Sequence, residues 1–152
     1  MTLRTQITDA MKDAMRAKDE ATLGAVRLIM AELKKRDIDS RPKGITEISD
    51  EDILGMLQGM IKQRRESITL YEKGNRADLV KQESGEIAVI ERFLPKQMGE
   101  DEIKAIIEKT VAALAATSVK DMGKVMAELK KTYAGQMDFA AASNLVKARL
   151  AG

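Results

Sequence analysis

The sequence predicts an all-α fold, in which an N-terminal helical bundle with a long antiparallel helical hairpin precedes a small three-helix C-terminal domain. Three observations lead there. Apolar residues recur at three- and four-residue steps through seven separate stretches, the period of a helix face rather than of a strand. Aromatic residues make up 3% of the chain against 10 methionines, so the side chains that favour sheets are thin while helix formers abound. Pro95 then interrupts the pattern, and Gln97-Met98-Gly99 behind it reads as a hinge. The expected division is residues 1–95 and 96–152. A chain of 152 residues suits one domain with a small appendage, and the last 54 or so residues lie near the size where a core becomes marginal.

Each helix has its own warrant. Leu3, Ile7, Ala10, Met11 and Ala14 line one face of the first, which should end near Ala17-Lys18. Asp19 is a natural N-cap for the second, whose stripe is Leu23, Val26, Met30 and Leu33 and whose end falls in Lys34-Lys35-Arg36-Asp37. Ser40-Arg41-Pro42-Lys43-Gly44 has the breakers of an exposed loop. Ser49 followed by Asp50, Glu51 and Asp52 caps the third helix and places acids at its electropositive end. The fourth runs from about Arg76 to Leu94. Glu100-Asp101-Glu102 opens the fifth, with Ile103, Ile106, Ile107, Val111 and Leu114 inward, and Ala115 to Ser118 ends it. Ser118 with Asp121 caps a sixth helix carrying Val119, Met122, Val125 and Leu129. Ala134-Gly135 is a stop, and Asp138 caps a seventh with Phe139, Ala142, Val146 and Leu150.

The third and fourth helices carry the sharpest structural expectation. Ile53, Leu57, Met60, Ile61, Ile68 and Tyr71 form a stripe with Arg64 near its middle. Leu79, Ile87, Ile90 and Leu94 form another, centred on Glu83. Folded back about Gly74-Asn75, Arg64 and Glu83 come to nearly the same level, and a guanidinium inside an apolar stripe requires a partner. A structural ion pair between Arg64 and Glu83 is therefore expected.

Charge bounds the partners. Residues 1–95 carry 17 basic and 17 acidic side chains, so the net charge of +2 arises after Pro95. Within residues 118–152 six basic groups face three acidic ones, which fits either a solvated helix surface or a small phosphate-contacting patch. No run reaches the roughly 18 apolar residues of a membrane span, and Met1-Thr2-Leu3-Arg4 does not resemble a signal peptide. The expectation is a soluble cytoplasmic protein.

Chemistry is sparse. With no cysteine and no histidine, disulfides, thiolate nucleophiles, the usual nucleophile–base pairs and most zinc sites are excluded. Met122-Gly123-Lys124 lacks the spaced glycines of a phosphate cradle. Asp50/Asp52 and Glu100/Glu102 sit in first turns, where the helix dipole explains them. No metal, no cofactor and no catalytic constellation is expected. Lys62 and Arg65 flank the hairpin stripe as either a solvated face or an anion-binding edge.

Four stretches taken together carry a resemblance: Val26-Arg27-Leu28-Ile29-Met30-Ala31-Glu32-Leu33-Lys34, Met60-Ile61-Lys62-Gln63-Arg64-Arg65-Glu66-Ser67, Phe93-Leu94-Pro95 and Asp121-Met122-Gly123-Lys124-Val125-Met126. In this order they resemble the YqeY family across nearly the whole chain. That family is related to the tail of GatB, the tRNA-binding subunit of the glutamine-dependent Asp/Glu-tRNA amidotransferase, a likeness confined here to about Asp121–Leu150. In that subunit the kinase-like domain performs phosphorylation and amide transfer while the tail helps hold the tRNA. The resemblance thus implies association with carbon–nitrogen ligase activity, glutamine being the amide donor, without catalysis by this chain alone. It implies tRNA, or a protein of the translation or aminoacylation machinery, as partner. Lys124, Lys130, Lys131 and Lys147 are the implied nucleic-acid-binding positions, and Gly123 and Gly135 are expected to serve close packing and a turn. A helical protein–protein adaptor without nucleic-acid binding is the alternative.

Overall fold

A computed structural model describes residues 2–152. Among these, the chain forms seven α-helices, two 3-10 turns and no strand. The helices are α1 (Leu3–Arg16), α2 (Glu20–Ser40), α3 (Asp50–Lys73), α4 (Ala77–Glu91), α5 (Glu100–Ala113), α6 (Met122–Thr132) and α7 (Phe139–Ala151). The chain divides into two compact units, Met1–Leu94 and Pro95–Gly152.

The first unit packs α1 to α4 around Ile7, Val26, Ile29, Ile53, Leu57 and Ile90, each at most 1% exposed. Burying one such side chain contributes about 1.5–3 kcal/mol, and the cluster draws one stripe from every helix of the unit. Caps set the boundaries. The Asp19 carboxylate accepts from the Thr22 backbone N–H at 3.1 Å, and the Ser49 hydroxyl accepts from that of Asp52, also at 3.1 Å. Between α3 and α4 the chain turns at Asn75, whose φ of +55° is left-handed backbone that asparagine tolerates.

Three boundaries differ from the sequence expectation, each for a tertiary or capping reason. α2 continues to Ser40, past the charged run at Asp37. There Asp37 is taken up by Arg4, whose guanidinium donates to both carboxylate oxygens at 2.9 and 2.6 Å. The Ile48 backbone N–H donates to Asp37 Oδ1 at 2.9 Å, and Arg4 also donates to the Ile48 carbonyl at 3.2 Å. This clamp joins the start of α1, the end of α2 and the approach to α3. α4 stops at Glu91, and 3-10-type bonds from Arg92, Phe93 and Leu94 lead the chain out. The sixth helix begins as a 3-10 turn over Val119–Asp121, because Ser118 and Asp121 form a reciprocal capping box around it.

The second unit packs α5, α6 and α7 around Ile107, Val125, Leu129, Met137, Ala142 and Val146, each at most 2% exposed. Gly135, at φ +75°, makes the turn from α6 toward α7, and the Asp138 carboxylate accepts from the Ala140 N–H at 2.9 Å. Behind α5, exposed Ala115 is held at φ +52°, where a Cβ costs about 1 kcal/mol. Ala115→Gly is therefore expected to stabilise this unit by up to about 1 kcal/mol, partly offset by the greater freedom of glycine in the unfolded chain. Urea unfolding followed by circular dichroism checks it, and a lower midpoint would contradict the strain argument.

Candidate functional site

The C-terminal unit holds the lysines singled out by charge and resemblance. Asp121 lies at the base of α6, its carboxyl held below the usual range by the Thr117 and Ser118 backbone N–H groups. The capping box thus anchors the Asp121-Met122-Gly123-Lys124 stretch and sends α6 away from a defined start. Val125 and Leu129 face the core, which turns Lys124 and Lys131 outward on the opposite side. Seven residues apart, these two share one face within about 20°. Lys130 lies about 120° round from Lys124, on a flank of α6. Lys147 is exposed on α7, next to buried Val146.

Among the described residues none of these four lysines forms an ion pair, so each offers an exposed ammonium with three donors. Their field is diluted in three places, the first being the Asp121 carboxylate, which Lys124 attracts across one turn. Glu128 lies between Lys124 and Lys131 on the same face, where it accepts from the Thr132 hydroxyl at 3.2 Å. Arg149 is engaged by Glu108 of α5 and adds less to the positive surface than its charge suggests. Gly123 corrects an expectation: a Cβ there would meet nothing within 4 Å, so it serves no close packing within this chain. Gly135 does make the turn.

In the first unit, Arg64 is 13% exposed and donates from Nε to Glu86 Oε2 at 2.8 Å. Glu83 Oε2 lies further off, at 3.8 Å, and Nη1 donates to the Met60 carbonyl at 3.2 Å. Sequence reasoning named Glu83 and missed Glu86, although Glu86 stands three residues on along the same face. Arg65 pairs with Glu91 at 3.5 Å, while Lys62 is exposed. Arg4 and Asp37 were also missed. Nothing local marks two residues 33 apart as partners.

No group of three or more His, Cys, Asp or Glu able to hold a metal ion occurs among the described residues. No helix among them is long and apolar enough to cross a membrane. Their charged clusters form ion pairs and caps, and the hydroxyls of Thr22 and Thr132 donate to the carboxylates of Asp19 and Glu128 within their own helices or caps.

Residues 4–150 match the family model described as Yqey-like protein. The chain belongs to the YqeY family. Its relatives include proteins named altered inheritance of mitochondria protein 41, mitochondrial. That of Lachancea thermotolerans is 29% identical over 142 residues, covering 92% of this chain and 74% of the relative. That of Eremothecium gossypii is 37% identical over 84 residues, covering 55% of this chain and 44% of the relative. A Saccharomyces cerevisiae relative is 29% identical over 129 residues, covering 85% and 66%. The chain thus spans about three quarters of the first relative and under half of the second.

These names correct the cytoplasmic expectation, since the relatives are named as mitochondrial proteins. That expectation rested on the lack of a long apolar run and of a signal-like start. Neither feature reports which compartment holds a protein.

Proposed function

We propose that this YqeY-family chain is a non-catalytic, tRNA-associated auxiliary of glutamine-dependent tRNA amidation, its C-terminal unit contacting the RNA backbone. In this reading residues 1–95 form a bundle with α3 and α4 as an antiparallel hairpin, and residues 96–152 are a separate three-helix domain. The observation that carries it is the exposed set Lys124, Lys130, Lys131 and Lys147, free of ion pairs among the described residues, on the part of the chain that resembles the amidotransferase tail. Ammonium groups of this kind suit phosphate, whereas the chain's two Phe and two Tyr leave little platform for base stacking. Amide transfer would belong to a partner enzyme, because no catalytic grouping accompanies the lysines.

The test is tRNA binding by the intact protein across a salt series. Removing one lysine that neutralises a phosphate should lower the slope of log K against log salt by about 1. Lys124→Glu/Lys147→Glu is expected to weaken binding at least about tenfold near 50 mM salt and to flatten that slope. Binding unchanged by the double substitution would remove the lysines from the interface. No binding at all would favour the adaptor reading, for which exposed Leu28, Ile38 and Leu70 are the supporting observation.

A further inference from the structure

The outer face of α2 carries an apolar seam that the fold leaves uncovered. Val26, Ile29 and Leu33 point α2 into the core of the first unit. On the side facing away stand Ala21, Gly24, Leu28, Ala31, Lys35 and Ile38, all exposed or partly so, with Leu28 at 44% and Ile38 at 45%. Their spacing alternates three and four residues over two and a half heptads, the a and d positions of a coiled-coil strand. A Cβ on Gly24 would meet nothing within 4 Å, so nothing inside the chain requires glycine in the middle of this helix. Close approach of a second helix would.

The charges along the seam select the occupant. One flank carries Arg27 and Lys34, the other Glu32 and Asp39. In a parallel pair of α2 helices, the first flank of each copy runs along the second flank of the other. Arg27 then stands opposite Glu32 and Lys34 opposite Asp39, twice over by symmetry. Reversing one helix sets base against base and acid against acid. At present Glu32 accepts from Arg36 within its own helix, at 3.1 Å, a solvent-exposed interaction that a partner arginine can share. We infer that a second copy of this chain docks here, α2 against α2 in parallel, to form a weak two-fold dimer. Lys35 at one seam position limits its strength and favours two strands over larger bundles.

Sedimentation of the full chain over a concentration series tests this, and a reversible monomer–dimer equilibrium in the micromolar range is expected. Leu28→Glu/Ala31→Glu should weaken it at least about tenfold with helix content unchanged, since both positions lie outside the core. Lys34→Glu should weaken it several-fold, and Lys34→Glu/Asp39→Lys should restore it. The chain has no cysteine, so Ala31→Cys reports orientation: a parallel seam places the two residues side by side, and oxidation should give a covalent dimer. A protein that stays monomeric to about 1 mM overturns the proposal, as does a dimer indifferent to Leu28→Glu/Ala31→Glu.

Discussion

Arg64→Met is expected to destabilise the first unit by about 3 kcal/mol, toward the lower end of the range for breaking a buried ion pair. The substitution keeps the apolar stem and removes the cation facing Glu86 and Glu83, which are 15% and 19% exposed. Two carboxylates would then share a poorly hydrated space without compensation. Against a total stability of about 5–15 kcal/mol, that is a large fraction. The two acids should not be equivalent. Glu86→Gln removes the partner at 2.8 Å and should cost about 1–3 kcal/mol. Glu83→Gln, at 3.8 Å, should stay within about 0.5 kcal/mol, because it also relieves the repulsion between the acids. Arg64→Met/Glu86→Leu should recover most of the loss. Urea unfolding by circular dichroism reads all four, fitted with two transitions if the units melt separately. Equal costs for Glu83→Gln and Glu86→Gln would contradict the hierarchy of distances.

Asp37→Asn is the second large effect expected, at about 2–3 kcal/mol near neutral pH. Asparagine can still accept from the Ile48 N–H, but it faces Arg4 with an amide where a two-pronged carboxylate stood. Arg4 and Asp37 are 25% and 15% exposed, so the pair is screened only in part. The loss should depend on pH in a definite direction. The Arg4 hydrogen bond, with help from the Ile48 N–H, holds the Asp37 carboxyl below its ordinary value in the folded protein. Its stabilising contribution is therefore fully present above the unfolded value of about 3.9 and disappears as pH falls through that value toward the folded one. The gap between wild type and Asp37→Asn should be constant from about pH 8 to pH 5 and close below about pH 4. Unfolding midpoints across that range test it. A gap that persists undiminished at about pH 3 would show that geometry, not ionisation, carries the contribution.

The two clusters mark how far the residues could be read without the fold. Arg64 was legible as needing a partner because it interrupts an apolar stripe, an inference that depends only on helical period and the cost of an unpaired charge. Its choice of Glu86 over Glu83 was legible as well but was not drawn: a symmetric turn at Asn75 sets Arg64, eleven residues before it, level with Glu86, eleven after, while Glu83 stands only eight after, about 4.5 Å short along α4. The Arg4–Asp37 clamp left no trace in the sequence, since a basic residue in a first turn and an acid in a charged run look like ordinary solvated positions. The surface lysines were legible as a modest charge surplus. Their dilution by Glu128 is readable from helical spacing, while the withdrawal of Arg149 depends on where α5 packs.

By itself the sequence determined the helices, their caps and the family, because these rest on short-range physics and on motifs: apolar period, first-turn acids, the Ser118/Asp121 box, the break at Pro95. The exposed seam of α2 was also written there, as a heptad among residues 21–38, but a stripe of Leu, Ala and Ile reads equally well as core. The stripe read from the sequence already put Val26 and Leu33 inward, and the packing of Val26, Ile29 and Leu33 fixed that the opposite side, with Leu28 and Ile38, stays exposed. Tertiary structure likewise decided that α2 runs on to Ser40 under the hold of Arg4, and that a Cβ at Gly123 would meet nothing within 4 Å. The common reason is range. Helix propensity and capping act within one or two turns of the chain, whereas ion-pair choice and burial are settled between segments brought together by the whole core.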